Sequence, residues 1–262
     1  MRLEARNLTL GYHQDPPVVE GLDLVVPECR VTAVVGPNGC GKSTLLRALG
    51  RLLKPRTGTV TLDGRSLSDL STRAVARRIA VLPQRPAAPD GLTVRDLVAQ
   101  GRYPYQGWLR RWSRDDEEAI EDAMRITEVA DLAHRRLDAL SGGQAQRAWL
   151  AMVLAQQTDI VLLDEPTTFL DVAHQLDVLE LLDHLNRERG RTVVMVLHDL
   201  NQAARYAHEL VAMKHGRIVA QGKPADLVTE GLIHEVFELP CRIVADPVTG
   251  GPFCVPRRRI RT

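Results

Sequence analysis

Apolar residues along the chain fall into two rhythms. Leu3, Ala5, Leu8 and Leu10 give a broken alternation and Leu22-Asp23-Leu24-Val25-Val26 a clearer one, so residues 2–36 are predicted to form short strands. Val31-Thr32-Ala33-Val34-Val35 is a nearly continuous run ending at Gly36, the pattern of a strand buried on both faces. A helix is predicted from Ser43 to Leu53, with leucines at 45, 46, 49, 52 and 53, and Lys54-Pro55-Arg56-Thr57-Gly58 punctuates its end. Strands return at Thr59–Leu62, before an Asp63-Gly64 turn, and at Ile79–Leu82, which Pro83 closes.

Between about residues 88 and 157 the spacing turns helical, broken by a segment rich in Gly, Pro and Trp at 101–113. This stretch reads as a helical insertion. Two further strand-like runs, 160–163 and 193–197, flank a helix around 173–189 whose apolar positions include Leu176, Leu179, Leu182 and Leu185. Strands alternating with helices predict an α/β fold around a largely parallel sheet.

Composition narrows the function. With 34 basic and 33 acidic side chains and a net charge of +1, nothing electrostatic points to a nucleic-acid partner. No run approaches the roughly 20 apolar residues that span a bilayer, and Met1–Arg6 lacks the apolar core of a signal peptide, so a cytosolic protein is expected. Cys29, Cys40, Cys241 and Cys254 show neither CxxC nor zinc spacing and are expected to be free thiols. The basic tail Arg257–Arg261 is expected to be a solvated end.

Chemistry enters at Gly36-Pro37-Asn38-Gly39-Cys40-Gly41-Lys42-Ser43, which fills every fixed position of G-x-x-x-x-G-K-[ST]. Glycines let successive N–H groups turn inward around phosphate oxygens, and the following helix adds its positive end. Lys42 is placed to reach the terminal phosphates and the Ser43 hydroxyl to hold magnesium. Further on, the apolar run Ile160–Leu163 ends in Asp164 and Glu165. Asp164 fits the acid that holds magnesium through water, and Glu165 the group that orients or deprotonates an attacking water. The run 193–197 likewise ends in His198, a candidate γ-phosphate contact.

Leu140-Ser141-Gly142-Gly143-Gln144 precedes these acids, and alone it reads as a helix N-cap with free amides. In this position it resembles the signature motif of ABC ATPases. The order phosphate loop, Gln84, signature, Asp164-Glu165, His198 is similar to that family from residue 3 to about residue 225. The resemblance implies a P-loop NTPase fold with a mainly parallel sheet core, an N-terminal antiparallel β subdomain and an inserted α-helical subdomain. It implies one ATPase domain over 1–262, with the insertion at 88–157 and a C-terminal extension at 226–262.

By the same resemblance Tyr12 stacks on adenine, Thr44 joins the phosphate loop in binding nucleotide, and Gln84 touches magnesium. Asp171 crosses a dimer interface, and Ser141, Gly142, Gly143 and Gln144 cover the ATP held by a second subunit. ATP and Mg2+ are the implied cofactors. The implied partners are a second ATPase copy, transmembrane permease subunits and, indirectly, a substrate-binding protein, on the cytoplasmic face of a membrane. One departure is Ala145, where a larger polar residue often follows the signature glutamine.

Within the family, Gly101–Gly107, Asp164–Asp171, Phe237–Cys241 and Asp246–Gly250 resemble importers of ferric siderophores, haem and cobalamin. Residues 84–110 are then expected to line a groove for a permease helix. Charge reversal at Arg102 is expected to weaken coupling while sparing the nucleotide site. DNA-maintenance relatives insert a long coiled coil between phosphate loop and signature, for which Gly36 to Ser141 leaves no room, and translation relatives carry two ATPase domains. A regulatory module without turnover would need neither Glu165 nor His198.

Overall fold

The computed structural model describes residues 2–13, 15–107, 112–168 and 170–257. Phe169 of the importer-like segment and the tail from residue 258 lie outside the described residues. In chain order the elements begin with β1 (Leu3–Leu10), β2 (Val19–Val26), β3 (Val31–Val35), α1 (Lys42–Leu49), β4 (Thr57–Leu62) and β5 (Arg65–Ser66). Next come α2 (Thr72–Ala76), β6 (Ile79–Leu82), α3 (Val94–Gln100), α4 (Arg114–Ile126), α5 (Gly142–Ala155), β7 (Ile160–Asp164) and α6 (Val172–Arg189). The chain continues with β8 (Thr192–Val196), α7 (Leu200–Tyr206), β9 (Glu209–Lys214) and β10 (Arg217–Gly222). It closes with α8 (Pro224–Leu227), α9 (Glu230–Phe237), β11 (Cys241–Ala245) and β12 (Pro252–Pro256). These elements form two compact units, residues 1–69 with 192–262, and residues 70–191.

In the first unit β1 pairs antiparallel with β2 and β4, giving the antiparallel N-terminal sheet. A second sheet places β3 between β8 and β9, parallel to both. All five residues of β3 and of β8 are buried, which is why these strands read as unbroken runs rather than alternations. Helix α1 stops at Leu49, short of the expected Leu53. Gly50 caps it, Arg51 turns left-handed at φ 59°, and the Leu52 and Leu53 amides both return to the Arg47 carbonyl. Leu52 is 62% exposed, so the leucine spacing overruns the face that is covered.

In the second unit β6 and β7 run parallel, with Ile79 opposite Ile160 and Leu82 opposite Leu163. Helices α3, α4 and α5 pack on one another. Each opens with a reciprocal capping box, Thr93 with Asp96, Ser113 with Asp116 and Ser141 with Gln144. Such boxes satisfy amides that the first helical turn leaves without partners, so three helix starts are written locally in the sequence.

Arg102 corrects an expectation. Only 3% exposed, it cannot present a charge to a permease. Its Nε donates to Asp116 at 2.9 Å, its Nη1 to the Ala155 carbonyl at 2.8 Å and to Gln157 Oε1 at 3.0 Å, and it lies 4.1 Å over the Tyr105 ring. Burial works against the Asp116 carboxylate, yet the Ser113 hydroxyl and Arg102 hold its pKa below the ordinary range. Breaking such a pair leaves one buried charge uncompensated, at a cost of about 3–5 kcal/mol. Arg102→Glu should therefore lower unfolding stability by at least about that amount, read by denaturant titration. A wild-type midpoint would show that the pair is not structural.

The C-terminal hairpin β11–β12 docks on α7. Cys241 and Cys254 join Ile233 in a small buried cluster flanked by Leu200, Phe237, Leu239 and Ile243. Asn201 makes two bonds to the Cys254 backbone, 3.1 Å from its Nδ2 to the carbonyl and 2.7 Å from the amide to its Oδ1. Burial, then the neighbouring Cys241, pushes the Cys254 thiol up to about 11. All four cysteines are free thiols. The Val248 amide and then Arg205, with bonds of 2.7 and 3.0 Å, pull Asp246 down to about 2. A depressed carboxylate contributes stability above its unfolded pKa of about 4 and loses it as pH falls through the folded value. Amide protection factors in residues 241–256 should thus stay high above about pH 4 and fall from there toward about pH 2. Asp246→Asn should remove that pH dependence; an unchanged profile would contradict the assignment.

Candidate nucleotide site

The phosphate loop leaves β3 at Gly36, which has φ 153° and runs so close to β9 that an added Cβ would lie 2.2 Å from the Met213 carbonyl oxygen. No side chain fits there. At the other end Gly41, φ 104°, is the N-cap of α1, and a Cβ would meet Val19 at 2.8 Å. Between them Pro37, Asn38, Gly39 and Cys40 make the bend, so a strand end is joined directly to a helix start.

Lys42 sits inside this bend, 6% exposed. Its Nζ donates to the carbonyls of Gly36 at 2.8 Å and Pro37 at 2.9 Å. Cys40 lies 4.0 Å from the same ammonium, and burial raises its pKa despite that charge, so it stays a thiol at neutral pH. Ser43 and Thr44 follow on the first turn of α1. The Tyr12 hydroxyl is 3.4 Å from Thr44 Oγ1 and accepts from Arg47 at 3.3 Å.

Sequence reading missed what fixes Tyr12. Arg56 Nη2 donates to the carbonyls of Tyr12, His13 and Asp15 at 3.1, 3.0 and 2.7 Å, clamping the loop that carries the tyrosine. His198 follows β8, where the Leu197 amide bonds the Val34 carbonyl of β3 at 3.2 Å. It is exposed at the carboxyl end of β8, beside the strand that feeds the phosphate loop. In parallel sheets that end is where ligands bind.

The second unit gathers the remaining predicted residues. Asp164 ends β7, 2% exposed, and Glu165, 8% exposed, departs from strand geometry at φ 55°. Glu165 thus leaves the strand in a left-handed turn. Such a turn costs a non-glycine residue about 1–3 kcal/mol, so surrounding contacts must hold it. They are visible. Gln84 Nε2 donates to Glu165 Oε2, and Thr168 Oγ1 donates to the same oxygen at 3.1 Å. The Thr168 amide also bonds the Glu165 carbonyl at 3.2 Å. Thr168 was not singled out from sequence, though its spacing from Glu165 suits a turn that bonds back.

Ser141 caps α5, accepting from the Gln144 amide at 3.3 Å while Gln144 Oε1 accepts from the Ser141 amide at 3.1 Å. Gly142 and Gly143 form the first turn, their amides at the positive end of the helix. Gln146 Nε2 bonds the Pro166 carbonyl at 2.8 Å, tying this helix to the turn after Glu165. Asp171 caps α6, accepting from the His174 amide at 2.9 Å.

If the loop grips a triphosphate, Lys42→Ala should remove most ATP affinity, because the anion loses its principal cation. Equilibrium binding of a fluorescent ATP analogue measures this; wild-type affinity would place the nucleotide elsewhere.

Comparison with known proteins identifies the family. The ABC transporter family model matches residues 19–168. The ferric enterobactin transport ATP-binding protein of Escherichia coli (strain K12) is 54% identical over 258 residues, spanning 98% of this chain and 95% of that protein. The petrobactin import ATP-binding protein FpuD of Bacillus anthracis is 53% identical over 262 residues, spanning 99% and 96%. A solved ABC transporter of metal-chelate type, in an inward-facing conformation, has 28% identity and a TM-score of 0.84, covering 98% of this chain and 97% of that one. The chain belongs to the ABC transporter family, as an ATP-binding and ATP-hydrolysing subunit.

Proposed function

We propose that the chain powers import of ferric siderophores or a closely related metal chelate, working as a pair of copies bound to permease subunits at the cytoplasmic face of a membrane. The observation that carries this reading is the near end-to-end likeness, above 50% identity, to the enterobactin and petrobactin import proteins. No helix among the described residues is long and apolar enough to cross a membrane.

Magnesium fits the proposed residues. Ser43, the amide oxygen of Gln84 and Asp164 are hard oxygen donors, which suit Mg2+. When bound, the ion neutralises charge developing on the phosphates.

Lys42 and the loop amides would grip the terminal phosphates, exchanging the lysine's bonds to Gly36 and Pro37 for bonds to oxygens of the anion. Glu165 would accept a proton from the attacking water, its carboxylate aimed by Gln84 and Thr168. His198 would donate to the γ-phosphate. Ser141 and the amides of Gly142 and Gly143 would face the ATP held by the partner copy, with Asp171 beside them. Each pair of copies then closes on two ATP molecules and reopens after hydrolysis, and this motion would drive the permease.

Glu165→Gln should keep ATP binding, cut turnover by about 10²–10⁴, and accumulate as an ATP-bound dimer on gel filtration. Hydrolysis near the wild-type rate would move the catalytic role to another residue. For the cargo, deletion of the gene should abolish uptake of a labelled ferric siderophore under iron limitation. Unchanged uptake without a redundant ATPase, while another solute fails to enter, would overturn the cargo and leave the motor standing.

A further inference from the structure

His174 was not singled out in the sequence and belongs to none of the motifs above, yet it touches two of them. It occupies the first turn of α6, and its ring Nδ1 lies 2.7 Å from Asp171 Oδ1, the same oxygen that accepts its backbone amide. Those two bonds, the backbone one first, hold the Asp171 carboxyl below the ordinary range. A carboxylate only accepts, so Nδ1 must carry the hydrogen. The flat of the ring covers the start of α5. A Cβ added at Gly143 would lie 3.1 Å from His174 Cδ2, 3.2 Å from Cγ and 3.4 Å from Nε2. A side chain at 143 would therefore require the ring to give by a few tenths of an ångström.

We propose that His174 is a positioning residue for ATP hydrolysis: its Nδ1–H holds the Asp171 carboxylate, and its ring, seated on Gly143, sets that bond in register with the signature helix. The proposal rests on the reading of Ser141–Gln144 and Asp171 as the segments that meet a partner's nucleotide. Both segments are helix N-termini. The histidine joins them through one charge-assisted bond and one stacked contact, so the pair presents a single surface. Gln146, bonded to the Pro166 carbonyl at 2.8 Å, adds a second tie between α5 and the chain that leads from Glu165 to Asp171. A displacement of about 1 Å at such a point costs on the order of a hundredfold in rate where alignment is strict.

The two contacts separate by substitution. His174→Phe keeps a ring over Gly143 and deletes the donor; His174→Asn removes the ring and places an amide nitrogen where Nδ1 stood. With full-length protein and MgATP, His174→Phe should lower kcat about tenfold or more. Nucleotide affinity of the monomer should stay unchanged, while His174→Asn keeps kcat within about threefold of wild type. Full activity in His174→Phe, or equal losses in both variants with unaltered unfolding midpoints, would overturn the proposal. A Ser141→Arg control separates the layers. If it hydrolyses ATP normally, the signature reading has failed; if it is inactive while His174→Phe is not, only the role of His174 has failed.

Discussion

A buried ammonium organises the nucleotide-binding part of this protein. Lys42 is almost wholly covered, and a lone charge so placed would be costly without partners. The loop solves this by curling back on its own lysine, offering the Gly36 and Pro37 carbonyls. The loop starts where the backbone runs against Met213 and only glycine fits. Triphosphate oxygens are better partners for the same ammonium than neutral carbonyls. The glycine spacing and the cradle thus both accommodate one buried ammonium.

The acid proposed for hydrolysis obeys a different constraint. Glu165 sits in a backbone conformation that side chains disfavour, at the end of a fully buried strand. Gln84 and Thr168 bond its carboxylate, so the energy stored in the turn is offset by contacts that also aim the side chain. The signature helix and the start of α6 are treated likewise, each capped by its own first residue and joined through His174.

Much of this was legible in the sequence, for physical reasons. Buried parallel strands announce themselves as apolar runs, so Ile79–Leu82 was read at its observed bounds and β7 and β8 within one residue of theirs. The phosphate loop, the signature cap and the antiparallel N-terminal sheet followed from spacing and family likeness. What failed depended on tertiary contact. The importer likeness placed Arg102 in a permease groove, whereas Asp116, Gln157 and the Ala155 carbonyl surround it. Leucine periodicity carried α1 past Gly50, because a left-handed Arg51 leaves no periodic trace. Arg56, Thr168 and His174 act by holding other residues, and no motif marks a residue whose partner is distant in sequence or stands on a turn.

The central claim is that phosphate loop and signature of one chain serve different ATP molecules. It is tested most directly by ATP hydrolysis in mixtures of Lys42→Ala and Ser141→Arg chains, each inactive alone. In a mixed dimer both defects fall in one nucleotide site and the other is assembled wholly from intact parts. Mixing should therefore restore hydrolysis in proportion to the fraction of mixed dimers. A mixture as inactive as its components, with mixed dimers shown to form, would mean that each chain completes its own site.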